Sequence, residues 1–248
     1  MSDRPKPDAQ EEENAFLAAY DASRFPHPSV AVDVALITVR DGALQALLLR
    51  RDAPPQKGAW SLPGGFVSME EGLDEAAARV LSSKAQVEGV FLEQLYTFGA
   101  PDRDPRTRVI TVAYYALVAA ERLAQIAGEG LQLARLDVPW SGETGGSITA
   151  RGGDEELTLA FDHARILGLV VQRLRGKLDY APIGFELLPQ HFSLRALQRI
   201  HETIRGEKLN KDSFRRRMLA SGLLVATGER EAAVGHRPAE LYRFQRQN

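Results

Sequence analysis

Between Leu62 and Val87 the chain sets a glycine-rich connection, Leu62-Pro63-Gly64-Gly65-Phe66-Val67, ahead of the carboxylates Glu70, Glu71 and Glu75 and the cation Arg79. Carboxylates of this kind hold divalent cations for phosphate chemistry. They also have a plainer use, because acidic residues stabilise a helix N-terminus electrostatically. The absence of Cys excludes disulfides, thiolate zinc sites, iron–sulfur clusters and a Cys nucleophile. The five histidines, His27, His163, His191, His201 and His236, show no metal-ligand spacing, and neither a nucleophile elbow nor a P-loop is present. A second group with chemical meaning is basic. Arg215, Arg216 and Arg217 are consecutive, with Lys211 and Ser213 just before them and Arg237 further on.

Charge separates along the chain. From Phe185 onward there are twelve Lys or Arg against seven Asp or Glu, leaving 19 against 26 before it. An acidic body with a basic tail is the expected footprint of a nucleic-acid contact. The whole chain, 248 residues with 44% hydrophobic and 26% charged, has the composition of a folded protein with room for one large domain or two smaller ones. Met1 to Asn14 is polar with an acidic run at Glu11–Glu13, so residues 1–20 are expected to be a mostly disordered arm and not a signal peptide. No stretch of about eighteen apolar residues is available to span a bilayer, and a cytoplasmic location without membrane contact is expected.

The elements that position these residues follow from periodicity. Val30 to Val39 is a nearly all-apolar run suited to a strand covered on both faces. Asp41-Gly42 supplies a tight turn, and Ala43 to Arg50 is its hairpin partner. A helix is expected from about Leu73 to Lys84, and strands at Phe91–Phe98 and Val109–Val118, joined by the Pro- and charge-rich loop Gly99–Arg108. Ser141–Gly153, with five Gly, is expected as an exposed loop insertion. Asp162 is a candidate cap for a helix reaching Leu178, with Ile166, Leu167, Val170, Val171 and Leu174 inward. This order predicts an α+β chain with a mixed sheet and packed helices over 21–180.

The tail, 185–248, has its own pattern. Ser193 is a candidate N-cap, Leu194, Leu197, Ile200 and Ile204 share one helical face, and Gly206 stands at the helix end. A second helix runs from about Lys211 to Ala220, with Phe214 and Met218 as core, followed by strand-like Leu223–Ala226 and Leu241–Phe244. Two helices, a short joint and a hairpin describe a winged helix-turn-helix.

The segment Gly65 to Val87 resembles the Nudix box at Gly65, Glu71, Arg79, Leu81 and Val87. Where Nudix hydrolases carry metal-binding glutamates, this chain has Val80, Ser83 and Lys84. Together with the tail, the chain resembles the Nudix-related transcriptional regulators of the NrtR type, which include repressors of NAD biosynthesis. The resemblance extends from Tyr20 to Phe244. It also rests on Phe98-Gly99-Ala100-Pro101-Asp102-Arg103-Asp104-Pro105-Arg106, Phe161-Asp162-His163-Ala164 and Gly235-His236-Arg237-Pro238-Ala239-Glu240-Leu241-Tyr242.

The resemblance implies a Nudix domain that senses ADP-ribose or a related nucleotide and a winged helix that binds double-stranded DNA; with Val80, Ser83 and Lys84 in place of the glutamates no metal, cofactor or catalysis is expected, and the two-fold logic of helix-turn-helix recognition makes a homodimer expected. A diphosphate without metal needs fixed cations and backbone amides. By their position beside the expected cleft, the candidate ligand residues are Arg50, Arg51, Gly65, Phe66, Phe98, Arg103, Arg106 and Arg108, with Tyr114 as a further aromatic. Alternation allows only one of Arg50 and Arg51 to face the cleft. In the helix-turn-helix context the candidate DNA contacts are Lys211, Ser213, Arg215, Arg216 and Arg217, with Arg237 in the wing, although consecutive helical residues point about 100 degrees apart and cannot all enter one groove. The alternative is a nucleotide-diphosphate hydrolase using Glu70, Glu71 or Glu75. A third reading makes the winged helix a protein-binding module.

Overall fold

The computed structural model describes residues 8–123, 130–231 and 238–245. In chain order the elements are α1 (Ala9–Ala19), β1 (Ser29–Arg40), β2 (Ala43–Arg50), β3 (Trp60–Ser61), β4 (Gly64–Phe66) and α2 (Leu73–Val80), which runs on into a wider turn at Leu81–Ala85. Next come β5 (Phe91–Phe98), β6 (Val109–Leu117), α3 (Ala120–Leu123), β7 (Leu131–Asp137), β8 (Thr149–Gly152), β9 (Glu155–Leu157) and α4 (His163–Lys177). The tail forms β10 (Phe192–Ser193), α5 (Leu194–Arg205), α6 (Lys211–Ala220), β11 (Leu224–Arg230) and β12 (Glu240–Phe244).

The first nine strands make one mixed sheet in the order β5-β6-β1-β2-β7-β8-β9, with β3 on β2 and β4 on β1. Strands β1 and β6 are parallel from Ser29 opposite Val109 to Ile37 opposite Leu117, while β1 and β2 close the expected hairpin with Arg40 opposite Ala43. Both faces of β1 are covered, which is why its sequence is apolar without alternation. One face meets α2 through Val32, Val34, Leu36, Ala76, Ala77 and Val80; the other meets α4 through Ala35, Ile37, Ile166, Val170 and Leu174.

The tail is a winged helix. Strands β10, β12 and β11 form its sheet, the Ser193 hydroxyl accepts the Ala196 N–H to cap α5, and Asn210 accepts the Ser213 N–H to cap α6. Its core is Phe185, Phe192, Leu197, Phe214, Met218 and Tyr242.

Two expectations change. The arm expected to be disordered carries the helix α1, none of whose residues is buried and whose Phe16 and Leu17 stand exposed. The boundary expected between 180 and 185 is a packed junction. Ile183, Phe185 and Leu187 are buried there, and the core around α4 continues into Ile200 and Ile204 of α5. Finally, Ser141–Gly153 is not a free loop: it includes all of β8, and its backbone lies on α4. A Cβ on Gly168 would sit 1.9 Å from Gly146 O, so the helix must carry glycine for the loop to approach.

Candidate functional site

A cavity of about 220 Å³ opens beside the start of α4, between the β3–β4 connection, the loop after β5 and the residues around Phe161. Its floor is Gly64 and Gly65. A Cβ on Gly64 would meet Asp33 Oδ1 at 2.2 Å and Val32 O at 3.0 Å, so the backbone packs onto β1 only because no side chain intervenes.

The scaffold of this floor is an ion pair. Arg79 Nε and Nη2 donate to Glu71 at 2.8 and 2.5 Å, Arg79 also donates to Phe66 O at 3.0 Å, and Glu71 accepts the Ser68 N–H at 2.8 Å. The Arg79 guanidinium and the Ser68 N–H hold the Glu71 carboxyl down to about 2. Glu75 accepts the Gly72 N–H at 2.9 Å. Two of the three carboxylates considered for catalysis are thus engaged in fixing loop and helix. Val80 is fully buried, and Lys84 donates its ammonium to Gly64 O at the cavity edge. Among the described residues no group of three or more His, Asp or Glu is placed to hold a metal ion.

Cations dominate the cavity lining. Arg51, Lys84, Arg103 and Arg106 stand against Asp33 and Asp104. Arg103 is the buried member, with 5% of its side chain exposed, and it joins Asp162 by Nε at 3.1 Å and Nη2 at 2.8 Å and reaches Asp33 at 3.3 Å. Burial works against its charge, and the Asp162 and Asp33 carboxylates outweigh that cost, raising its pKa further. Asp104 accepts two side-chain bonds from Arg106, at 3.0 and 2.8 Å, and its pKa is lowered first by that guanidinium.

His163 lies behind Asp33. Its Nδ1 accepts the Leu62 N–H at 3.0 Å, which leaves the proton on Nε2, 3.6 Å from Asp33. Burial depresses its pKa, with Asp33 opposing, so the ring is neutral.

Two aromatic rings at the cavity each carry an arginine: Arg51 lies 4.9 Å over Phe161, and Arg106 lies 5.5 Å over Phe66. Phe161 has φ +52, and its N–H is held by Gln56 Oε1 at 2.8 Å.

Of the residues expected at a ligand site, Arg51, Gly65, Phe66, Arg103 and Arg106 meet here. Arg50 does not: the β2 alternation turns it to solvent, as the pairing with Arg51 requires. Phe98 is 4% exposed and belongs to the core under Arg165, because a β-bulge between Gln94 and Tyr96 shifts the strand's alternation. Arg108 lies outside the lining, donating to Ala100 O at 3.1 Å. Tyr114 is buried, with its hydroxyl on Asp74 Oδ1 at 2.5 Å. Sequence reasoning missed Asp33, Phe161 and His163 as parts of the site, and Asp162 as anything beyond a helix cap.

A second, basic face lies on the winged helix. Arg195, Arg199, Lys208, Lys211, Arg215 and Arg230 line one cleft between α5, α6 and β11. Lys211 and Arg215 are four residues apart on α6 and share this cleft. Ser213 and Arg216 are exposed elsewhere on the helix. Arg217 turns the other way, over Phe214 at 5.6 Å and toward Asp179 at 3.6 Å, so it does not share the face expected of it. Arg237 lies outside the described residues. Arg195 and Arg230 were not foreseen, since their place beside α6 depends on tertiary packing.

A nine-stranded mixed sheet with a Glu71–Arg79 pair bracing its glycine loop, fused to a winged helix, defines the class of Nudix-related DNA-binding regulators. The NUDIX domain profile matches residues 27–138, and that of the NrtR DNA-binding winged helix domain matches 184–244. The ADPR responsive transcriptional repressor NtrR of Acinetobacter baylyi is 39% identical over 235 residues, 94% of this chain and 88% of that protein. The crystal structure of Shewanella oneidensis NrtR is similar at a TM-score of 0.71 with 32% identity, covering 87% of this chain and 94% of that one. The same protein complexed with a 27mer DNA matches at a TM-score of 0.68 and 29% identity, over 87% and 93%. The chain belongs to the NrtR family.

Proposed function

We propose that this protein is a DNA-binding transcriptional repressor whose Nudix domain binds ADP-ribose or a closely related nucleotide and whose DNA affinity falls when that ligand is bound. The observation that carries the reading is the cation-lined cavity between two aromatic rings, joined in one chain to a basic winged helix and to 39% identity with a repressor named for its response to ADP-ribose. Arg51, Lys84 and Arg106 supply fixed positive charge for the two phosphates, and Phe66 and Phe161 supply flat apolar faces for base and ribose.

The Nudix domain is not a hydrolase on this reading. Glu71 is held by Arg79, Glu75 caps Gly72, and Val80 and Lys84 occupy positions where carboxylates would have to gather a metal. The Lys84 ammonium takes over part of the charge neutralisation that a divalent ion provides. Phosphate contacts come from Lys211, Arg215, Arg195 and Arg230, and the two-fold logic of helix-turn-helix recognition makes the working species a homodimer. No helix among the described residues is long and apolar enough to cross a membrane. A cytoplasmic repressor of NAD-related genes fits these features.

Fluorescence anisotropy of the full chain on a duplex from upstream of its own gene, with and without ADP-ribose, tests the proposal. Reversal of specific binding by ADP-ribose, with ADP-ribose recovered intact after incubation with magnesium, is the expected result. Hydrolysis of ADP-ribose without specific DNA binding overturns it in favour of an enzyme.

A further inference from the structure

The cavity and the winged helix are joined by one element. Helix α4 starts at His163, inside the cavity wall, and ends at Lys177; its 15 residues span about 22 Å. At the cavity end its N-cap residue is Asp162, whose side chain makes no capping bond and is committed to Arg103 instead. At the far end Arg175 is buried and meets no carboxylate directly. Its Nε donates to Ile204 O at 2.8 Å in the last turn of α5, and its Nη1 donates to Trp140 O at 3.1 Å and Gly142 O at 2.8 Å. Its guanidinium lies 4.7 Å over the Trp140 ring.

A cation spread across three carbonyls fixes the position of all three. Because the last carbonyls of a helix lack intrahelical donors, Arg175 satisfies the α5 terminus with a side chain from α4. Two residues past the end of α4, Asp179 binds Arg205 of α5 and reaches Arg217 of α6 at 3.6 Å. The apolar seam between these attachments is continuous, from Leu174 and Leu178 to Ile200 and Ile204.

At the cavity end Arg103 is held by Asp162, and a phosphate entering the cavity would compete with Asp162 for the same guanidinium donors. Losing Arg103 frees the Asp162 side chain at the N-cap of α4. A rigid helix that shifts at this end can do so only by carrying its other end.

We propose that α4 conveys occupancy of the cavity to the DNA-binding domain, and that Arg175 is the positioning residue through which α5 follows α4. This rests on the function proposed above and specifies how its site is regulated. Ligand binding lowers DNA affinity only to the extent that it favours the DNA-incompetent placement of α5 and α6.

The test compares wild type, Arg175→Met, Arg175→Lys and Asp179→Asn as full-length proteins. Three quantities are measured for each: the Kd for ADP-ribose, the Kd for the upstream duplex, and the ratio of duplex Kd with saturating ADP-ribose to that without. Wild type is expected to show a ratio of about 5 to 150, the usual range of allosteric coupling. Arg175→Met is expected to keep both separate affinities within about threefold while its ratio falls to within about twofold of unity, and Arg175→Lys to recover part of it. Asp179→Asn removes an exposed carboxylate, so its fold is safe even if Arg175→Met is unstable, and it is expected to lower the ratio several-fold. Wild-type ratios in both Arg175→Met and Asp179→Asn, or in Asp179→Asn alone if Arg175→Met does not fold, overturn the role of α4 and leave the repressor reading standing. A wild-type ratio of one overturns the ADP-ribose response proposed above, and this inference with it.

Discussion

Gln56 and Phe161, 105 residues apart, both hold left-handed backbone, at φ +58 and +52, and the Gln56 side chain accepts the Phe161 N–H at 2.8 Å. Each non-glycine residue in that region costs about 1 to 2 kcal/mol. Such strain persists where surrounding contacts over-determine it, and it gathers at binding sites. Here it sets the Phe161 ring beside Arg51 at the cavity, one residue before Asp162 and the α4 start.

Phe161→Ala therefore removes a ligand face while leaving Gln56 its N–H partner. Base-to-aromatic contacts contribute about 1 to 3 kcal/mol, so ADP-ribose affinity by calorimetry is expected to fall roughly tenfold. Phe161→Gly should lose the same affinity yet melt above the Ala variant, because glycine adopts φ +52 without steric cost. Equal ligand affinity in Phe161→Ala and wild type would remove the ring from the site.

Lys84 gives a second prediction. Its ammonium sits on Gly64 O at the cavity edge and adds fixed charge that a diphosphate can use. Lys84→Met is expected to weaken ADP-ribose by about tenfold in the presence of EDTA, and Lys84→Glu by more, since it replaces attraction with repulsion. Magnesium should not restore either variant to wild-type affinity, because Val80 supplies no second ligand. Unchanged affinity in Lys84→Glu would show that the ammonium takes no part.

Much of this was legible in the sequence, for identifiable reasons. The Asp41-Gly42 hairpin, the Ser193 cap and the inward face of α4 are local patterns, and local patterns survive folding. The division between Arg50 and Arg51 was legible because strand alternation is nearly rigid. Phe98 was misplaced because a bulge three residues earlier reversed its face, and nothing in Phe91–Phe98 marks that bulge. Tyr114 was misplaced because β6 is buried on both sides, where alternation says nothing about which side holds a ligand. The Arg103–Asp162 pair spans 59 positions and the Leu62–His163 bond 101, distances at which side-chain pairing has no sequence period. The glycines of Ser141–Gly153 signalled a loop, whereas the packing of Gly146 on Gly168 gives part of that segment a structural use.

Acid should loosen the winged helix through His201. Its ring is buried edge-on to Phe214 at 5.1 Å with Nδ1 unpartnered, and burial, then the cations Arg217 and Arg205, hold its pKa down to about 4 against Asp179. Unfolded, the imidazole protonates near 6.5. Between those values the unfolded chain binds more protons, so stability is full above pH 6.5 and declines by up to roughly 3 kcal/mol as pH falls to 4. His201→Leu should flatten that part of the curve of thermal midpoint against pH, and an unchanged slope would assign the acid sensitivity elsewhere.

The DNA face predicts a division among the basic residues of α6. Lys211 and Arg215 line the cleft with Arg195 and Arg230, whereas Arg217 turns to Asp179 on the opposite side. Removing one phosphate-binding cation lowers the slope of log K against log salt by about one. Lys211→Ala and Arg215→Ala are each expected to weaken binding to the upstream duplex and to reduce that slope, read by anisotropy across several potassium chloride concentrations. Arg217→Ala should leave the slope unchanged, because its nearest charge is a carboxylate of its own chain. A slope reduced by Arg217→Ala and untouched by Lys211→Ala and Arg215→Ala would place the DNA on the other side of α6, against the cleft proposed for it.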